Sequence, residues 1–160
     1  MPLFPFKSPK PNQGLVRSGF GRFVAITKGN IAIVPFFHRM ERVDLSEKKV
    51  VIARNKQWPL MTKDGEKLYG EATFYFSVLP NEHDIRKVAQ AIGGEETFKE
   101  GYLESLMFPK FNEALEVVST HYAQEDILSD IEQFQSKIWN IIGDDLNGLG
   151  IHHILVKLHK

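Results

Sequence analysis

The chain is 160 residues long, with 42% hydrophobic residues, 25% charged residues and no cysteine. This composition excludes wholesale disorder, and the missing cysteine excludes disulfides, thiolate nucleophiles, iron–sulfur clusters and cysteine-rich zinc centres. The formal net charge of zero conceals an asymmetry: residues 1–40 carry Lys7, Lys10, Arg17, Arg22, Lys28 and Arg39 with no acid, whereas residues 71–160 carry 7 basic and 15 acidic side chains. An acid-free end of this kind suits an anionic membrane, a nucleic acid or the acidic end of a second copy.

Residues 1–14 contain Pro2, Pro5, Pro9 and Pro11 and read as an irregular leader, because proline suppresses helix and sheet alike. The same prolines break any signal-peptide pattern. The longest apolar run, Ile31–Phe37, is far short of the roughly 20 residues a membrane-spanning helix needs, and Pro35 interrupts it. Ordered structure is predicted from Leu15. Strands are predicted at Arg22–Thr27 and Asn30–Phe36 around a Lys28-Gly29-Asn30 turn, then at Lys48–Arg54 and Trp58–Thr62, with Asp64-Gly65 reversing the chain. The clearest strand is Lys67–Leu79. Leu68, Gly70, Ala72, Phe74, Phe76 and Val78 share one face, and Tyr69, Glu71, Thr73, Tyr75 and Ser77 share the other, so one face is expected to be buried and the other half wet.

The period changes at Pro80. Asn81 reads as the N-cap of a helix over Glu82–Ile92, ended by Gly93-Gly94. A second helical stretch, about Glu95–Ser119, carries Leu103, Leu106, Met107, Phe111, Leu115 and Val118 as its apolar stripe, and Pro109 is expected to kink or divide it. A third spans about Glu125–Leu146. Ile151–Leu158 reads as a last strand with Ile154, Val156 and Leu158 inward. Strands followed by helices argue for an α+β fold: a mainly antiparallel β region, then helices, then a final strand.

The chemical inventory is thin. Gly19-Phe20-Gly21 precedes a strand, whereas a dinucleotide fingerprint follows one, so it reads as a bend. His152 and His153 are adjacent on a strand and point to opposite faces, which prevents them from closing on one metal ion. One of them is expected on the polar face and the other packed and hydrogen-bonded. His83 reads as a first-turn helix residue, and His121 lies at a helix end where its dipole favours a partial positive charge. Ser46, Ser77, Ser105, Ser119, Ser129 and Ser136 are scattered, and none lies in a nucleophile-elbow turn. Glu95-Glu96 and Asp144-Asp145 read as helix-end charges. No catalytic, cofactor-binding or metal-binding residue is therefore assigned. Phe20, Phe23, Phe36 and Phe37 interleave with basic residues as single-strand-binding platforms do, but they lie in apolar strand patterns whose default is core packing. No nucleic acid is expected as a partner.

Leu15-Val16-Arg17-Ser18-Gly19-Phe20-Gly21, followed by Gly29 through His38, resembles the opening of an SPFH or band 7 domain, the family of stomatins, prohibitins and flotillins. The resemblance continues through Val43-Asp44-Leu45, Val50–Arg54, Leu60–Gly65, Ala72–Phe76, Phe111–Leu115, Glu125-Asp126-Ile127, Asp144-Asp145-Leu146 and Leu149-Gly150-Ile151. It covers residues 15–158 and is nearest to the bacterial flotillin-like group. It implies an α+β domain with a β-rich part over about 15–79 and a helical part over about 80–158. It also implies a non-catalytic, membrane-associated scaffold, without cofactor, that oligomerises in its full-length context and organises membrane microdomains. The implied place is the cytoplasmic face of a bacterial cell membrane, and the implied partners are anionic lipids and membrane proteins or a protease. A soluble adaptor that binds a protein partner is the alternative. Family members usually carry an amino-terminal anchor and a following coiled coil, and this sequence shows neither, so it reads as an excised domain or a minimal homologue. Within residues 1–14, Leu3, Phe4, Phe6, Lys7 and Lys10 are the candidate membrane contacts.

Overall fold

A computed structural model of the chain describes residues 5–144 and 146–160. The fold is mixed α and β, with antiparallel sheets followed by helices and a final strand, as the change of period predicts. The chain divides into two compact units, each containing both strands and helices. The first comprises Met1–Glu47, Ser77–Leu103 and Asp145–Gly150, and the second Lys48–Phe76, Glu104–Asp144 and Ile151–Lys160.

The first unit is built on β2 (Gln13–Gly19), which pairs antiparallel with β3 (Val24–Ile26) on one edge and β5 (His38–Asp44) on the other. A separate ribbon joins β1 (Phe6–Lys7) to β4 (Ile31–Ala32). Helix α1 (Glu82–Ala91) packs on the three-stranded sheet and buries Ile85 and Val88. Its N-terminus is closed as the sequence predicts: the Asn81 side chain accepts from the Asp84 N–H at 2.9 Å.

Several expectations are corrected here. Proline does not keep the leader free of sheet, because Phe6–Lys7 and the start of β2 are paired. The strands flanking Gly29 are short and do not pair with each other as a hairpin: β3 joins β2 and β4 joins β1. The predicted Asn30–Phe36 strand ends at Ala32, where the chain approaches Pro35 and turns. β2 and β5 carried no clear strand pattern. Only Val43 of β5 is fully buried, and the strand exists by virtue of its seven-residue ladder with β2.

In the second unit, β6 (Lys48–Arg54) and β7 (Leu60–Met61) both pair antiparallel with β8 (Lys67–Val78), and β9 (Leu149–His159) also pairs with β8. The Asp64-Gly65 reversal is present, with Gly65 at φ 77° and Leu60 opposite Leu68. Phe74 stacks on Phe111 at 4.6 Å, and Phe76 meets the same ring edge-on at 5.5 Å. On the apolar face of β8, Leu68, Ala72, Phe74, Phe76 and Val78 are buried and Gly70 is half-buried, and Tyr75 on the other face is half-buried as expected. The polar face is drier than its pattern implies, for Thr73 and Ser77 are buried too.

The helical stretches are divided differently from the prediction. A single-turn helix at Glu95–Phe98 precedes α2 (Tyr102–Ser119), and the break falls at Lys99–Gly101, where Gly101 has φ 71°. Pro109 sits inside continuous α2. Pro109 is exposed, so the missing N–H falls on the solvent side of the helix. Leu106, assigned to the apolar stripe, is exposed. The third stretch is split into α3 (Gln124–Ser129) and α4 (Ile131–Ile142), because Asp130 leaves helical geometry and accepts from the Gln133 N–H at 2.9 Å.

Candidate interaction surface

The residues weighed for catalysis or metal binding are dispersed into structural roles. His152 and His153 are both exposed, which corrects the expectation that one is packed, and the His153 ring lies 6.0 Å from Tyr75. His83 is an exposed first-turn residue of α1. The His121 Nδ1–H donates to the Val117 carbonyl at 2.6 Å and caps the end of α2. Ser119 donates to the Met61 carbonyl at 2.8 Å. Glu95 and Glu96 are split between Arg42 and Lys99. Asp144 is exposed, and Asp145 lies outside the described residues. Among the described residues, no three His, Cys, Asp or Glu converge on a metal-binding point, and no catalytic assembly is found.

Two carboxylates hold loops in place. Arg42 reaches Glu95 with two guanidinium nitrogens (3.1 and 2.8 Å) and its own backbone N–H (3.1 Å), and it lies over the Phe98 ring. This contact holds the Glu95 carboxyl below its ordinary range and raises Arg42. In the other unit, the Thr62 hydroxyl donates to Asp64, which also accepts the Gln124 N–H and is lowered by these bonds. Asp64 thereby ties the β7–β8 turn to the start of α3.

Of the sequence-predicted contacts, Leu3 and Phe4 lie outside the described residues. Phe6, Lys7 and Lys10 are exposed. Phe6 and Lys7 are fixed by pairing with Ala32 and Ile31, and the Ile33 N–H donates to Pro5.

The structure adds a surface that sequence reasoning assigned to the core. Phe20, Phe36 and Phe37 are 80%, 104% and 61% exposed. They occupy the β2–β3 and β4–β5 loops, at the end of the β2–β5 ladder. The Phe20 N–H donates to the Phe37 carbonyl (3.0 Å), and their rings meet edge-on at 6.2 Å. His38 bridges the loops. Its Nδ1 accepts the Val34 N–H, so its Nε2–H donates to the Phe20 carbonyl, both at 3.0 Å. Gly19 permits the close approach, for it has φ 112° and a Cβ there would lie 2.3 Å from the Phe37 carbonyl oxygen. Phe23, by contrast, is held under the Arg86 guanidinium at 5.4 Å. The flanking Gly19, Gly21 and Pro35 were the available signal that these phenylalanines sit on loops.

This order of elements is that of a known domain class, and the sequence profile of the SPFH domain / Band 7 family matches residues 7–160. The chain belongs to that family. It is 24% identical over 151 residues to a flotillin family inner membrane protein of Escherichia coli, covering 93% of this chain and 27% of that protein. It is 25% identical over 144 residues to another flotillin family inner membrane protein, from Synechocystis, covering 88% of this chain and 21% of that protein. The chain thus spans about a quarter of the length of these relatives.

Proposed function

We propose that this is the membrane-facing domain of a flotillin-like scaffold, which self-assembles in its full-length context and organises membrane microdomains or partner membrane proteins without catalysis. The observation that carries this reading is the family match across nearly the whole chain, together with an amino-terminal quarter that holds six basic residues and no acid. Both relatives named above are inner membrane proteins. Among the described residues, no helix is long and apolar enough to cross a membrane. In this reading the contact of Leu3, Phe4, Phe6, Lys7 and Lys10 is peripheral: a few apolar side chains at the headgroups and basic groups drawn to an anionic cytoplasmic leaflet, each basic group worth about 1 kcal/mol. The experiment is flotation of the protein expressed in a bacterial cell at its natural length. Recovery with membranes after salt washing supports the scaffold. Recovery in the soluble fraction favours the adaptor reading, for which the exposed Leu106, Phe108, Val117 and Ile141 offer an apolar surface to a membrane protein or a protease.

A further inference from the structure

We infer that Phe20, Phe36 and Phe37 form an aromatic wedge that enters the headgroup–acyl boundary of an anionic bilayer, with Arg22 and Arg39 as its basic flank. The inference rests on the membrane-associated reading above and names a contact distinct from residues 3–10.

The wedge is a built feature. Gly19, the Phe20–Phe37 backbone bond and the His38 bridge hold two loops together, with the Phe20 and Phe37 rings in contact and the exposed Phe36 next to Phe37 in the same loop. The fold gains nothing from Phe36 in particular. Its side chain is wholly exposed and its backbone lies at φ 71°, a region in which a bulky residue is strained and glycine is not. Water is a poor medium for such rings, and a bilayer boundary takes them up readily. The surrounding charge selects the kind of surface. Arg22 is exposed two residues after Phe20. Arg39 is exposed two residues after Phe37, and its ion pair with Glu41 is long, at 3.6 Å. Glu82, which lines the same cleft as Arg22, is engaged by Arg86 at 3.0 Å. Stacking on nucleobases fits this geometry less well, since Phe20 and Phe37 turn an edge and a face to each other (64°) instead of forming an open platform.

The test uses the 160-residue chain and vesicles of phosphatidylcholine with or without 30 mol% phosphatidylserine, a composition on the order of that of an anionic leaflet. The native chain is expected to co-sediment with anionic vesicles in preference to neutral ones. The triple variant Phe20→Ser/Phe36→Ser/Phe37→Ser should lower that partition about tenfold or more. Arg22→Glu/Arg39→Glu should weaken the preference for anionic vesicles several-fold, the remainder being carried by Lys7 and Lys10. Phe36→Gly should bind several-fold less while melting at the same or a higher temperature, which separates lipid contact from folding. In Phe36→Trp, chains brominated in the acyl region should quench emission beyond that of the native Trp58 and Trp139. If the native chain binds anionic vesicles and the wedge variants bind equally well, the wedge is overturned while membrane association stands. Loss of binding in Leu3→Ser/Phe4→Ser/Phe6→Ser would then place the contact in the amino-terminal segment. If the native chain binds no vesicle, the wedge is likewise overturned, and flotation of the cellular protein decides the wider reading separately. Salt-sensitive binding of a single-stranded oligonucleotide instead of vesicles, lost in the triple variant, would make this a nucleic-acid surface and overturn the proposal.

Discussion

Phe76 and Tyr75 are neighbours on one strand with opposite fates. Phe76 is fully buried against Phe111, and Tyr75 is half-buried beside His153. Phe76→Ala should therefore cost about 3–5 kcal/mol in a denaturant melt. Tyr75→Ala should cost distinctly less, and equal small losses would show the register to be wrong. Charge at single residues makes a second prediction. Glu95 and Asp64 are both held below the ordinary carboxylate range, one by Arg42 and the other by Thr62 and the Gln124 N–H. A lowered folded value means that the unfolded chain binds the proton first. Each group then stabilises the fold above its unfolded value, and that stability is lost as pH falls through the folded value. Glu95→Gln and Asp64→Asn should each be less stable than the native chain near neutrality, and the gap should narrow as the pH falls from the unfolded values through the lower folded ones. A gap that stays constant over that range would mean that neither carboxylate is selectively stabilised in its charged form.

Elements differed in legibility according to where their information lies. β6, β8 and α1 were readable because each buries a periodic face: Val50 and Ile52, the set from Leu68 to Val78, and Ile85 with Val88. β2 and β5 were not, because their reason for existing is a ladder between segments far apart in sequence, and β5 buries only Val43. The split at Asp130 was written in the Asp-x-x-Gln spacing to Gln133, but the continuous apolar pattern on either side masked it. The aromatic loops failed for the opposite reason. An apolar run suggests core, and only the glycines and Pro35 around it mark the chain as turning there. Two substitutions probe elements at their ends. Asn81→Ala should cost about 1 kcal/mol by removing the cap of α1. Gly19→Ala should cost more than ~1 kcal/mol, because alanine meets both a positive φ and the Phe37 carbonyl. If the Gly19 variant melts like the native chain, the two loops are not held together as described.

At the scale of the whole molecule, valence decides what a weak surface can do. The wedge offers three phenylalanines, and the amino-terminal segment a few apolar and basic groups, so a single copy should bind a bilayer weakly and reversibly. Self-association faces a similar constraint. The exposed Leu106, Phe108, Val117 and Ile141 supply only a handful of apolar side chains, and docking two free copies must first overcome lost translational and rotational freedom. The 160-residue chain is therefore expected to sediment as a monomer or a weak associating species. Joining copies changes the terms, because each bound copy holds the next near the surface at high effective concentration. A fusion of the chain to a trimeric coiled coil, linked flexibly so that all three copies can reach one plane, should bind anionic vesicles at least tenfold more tightly per chain than the free form. High salt should weaken the free chain and the fusion alike, since the acid-free region acts through screened charges. Adding the triple wedge substitution to the fusion should abolish most of the gain, because avidity multiplies a contact and cannot replace one. A fusion that binds no better per chain than the free form would show that copies do not engage the bilayer together, and the scaffold reading would lose its physical basis.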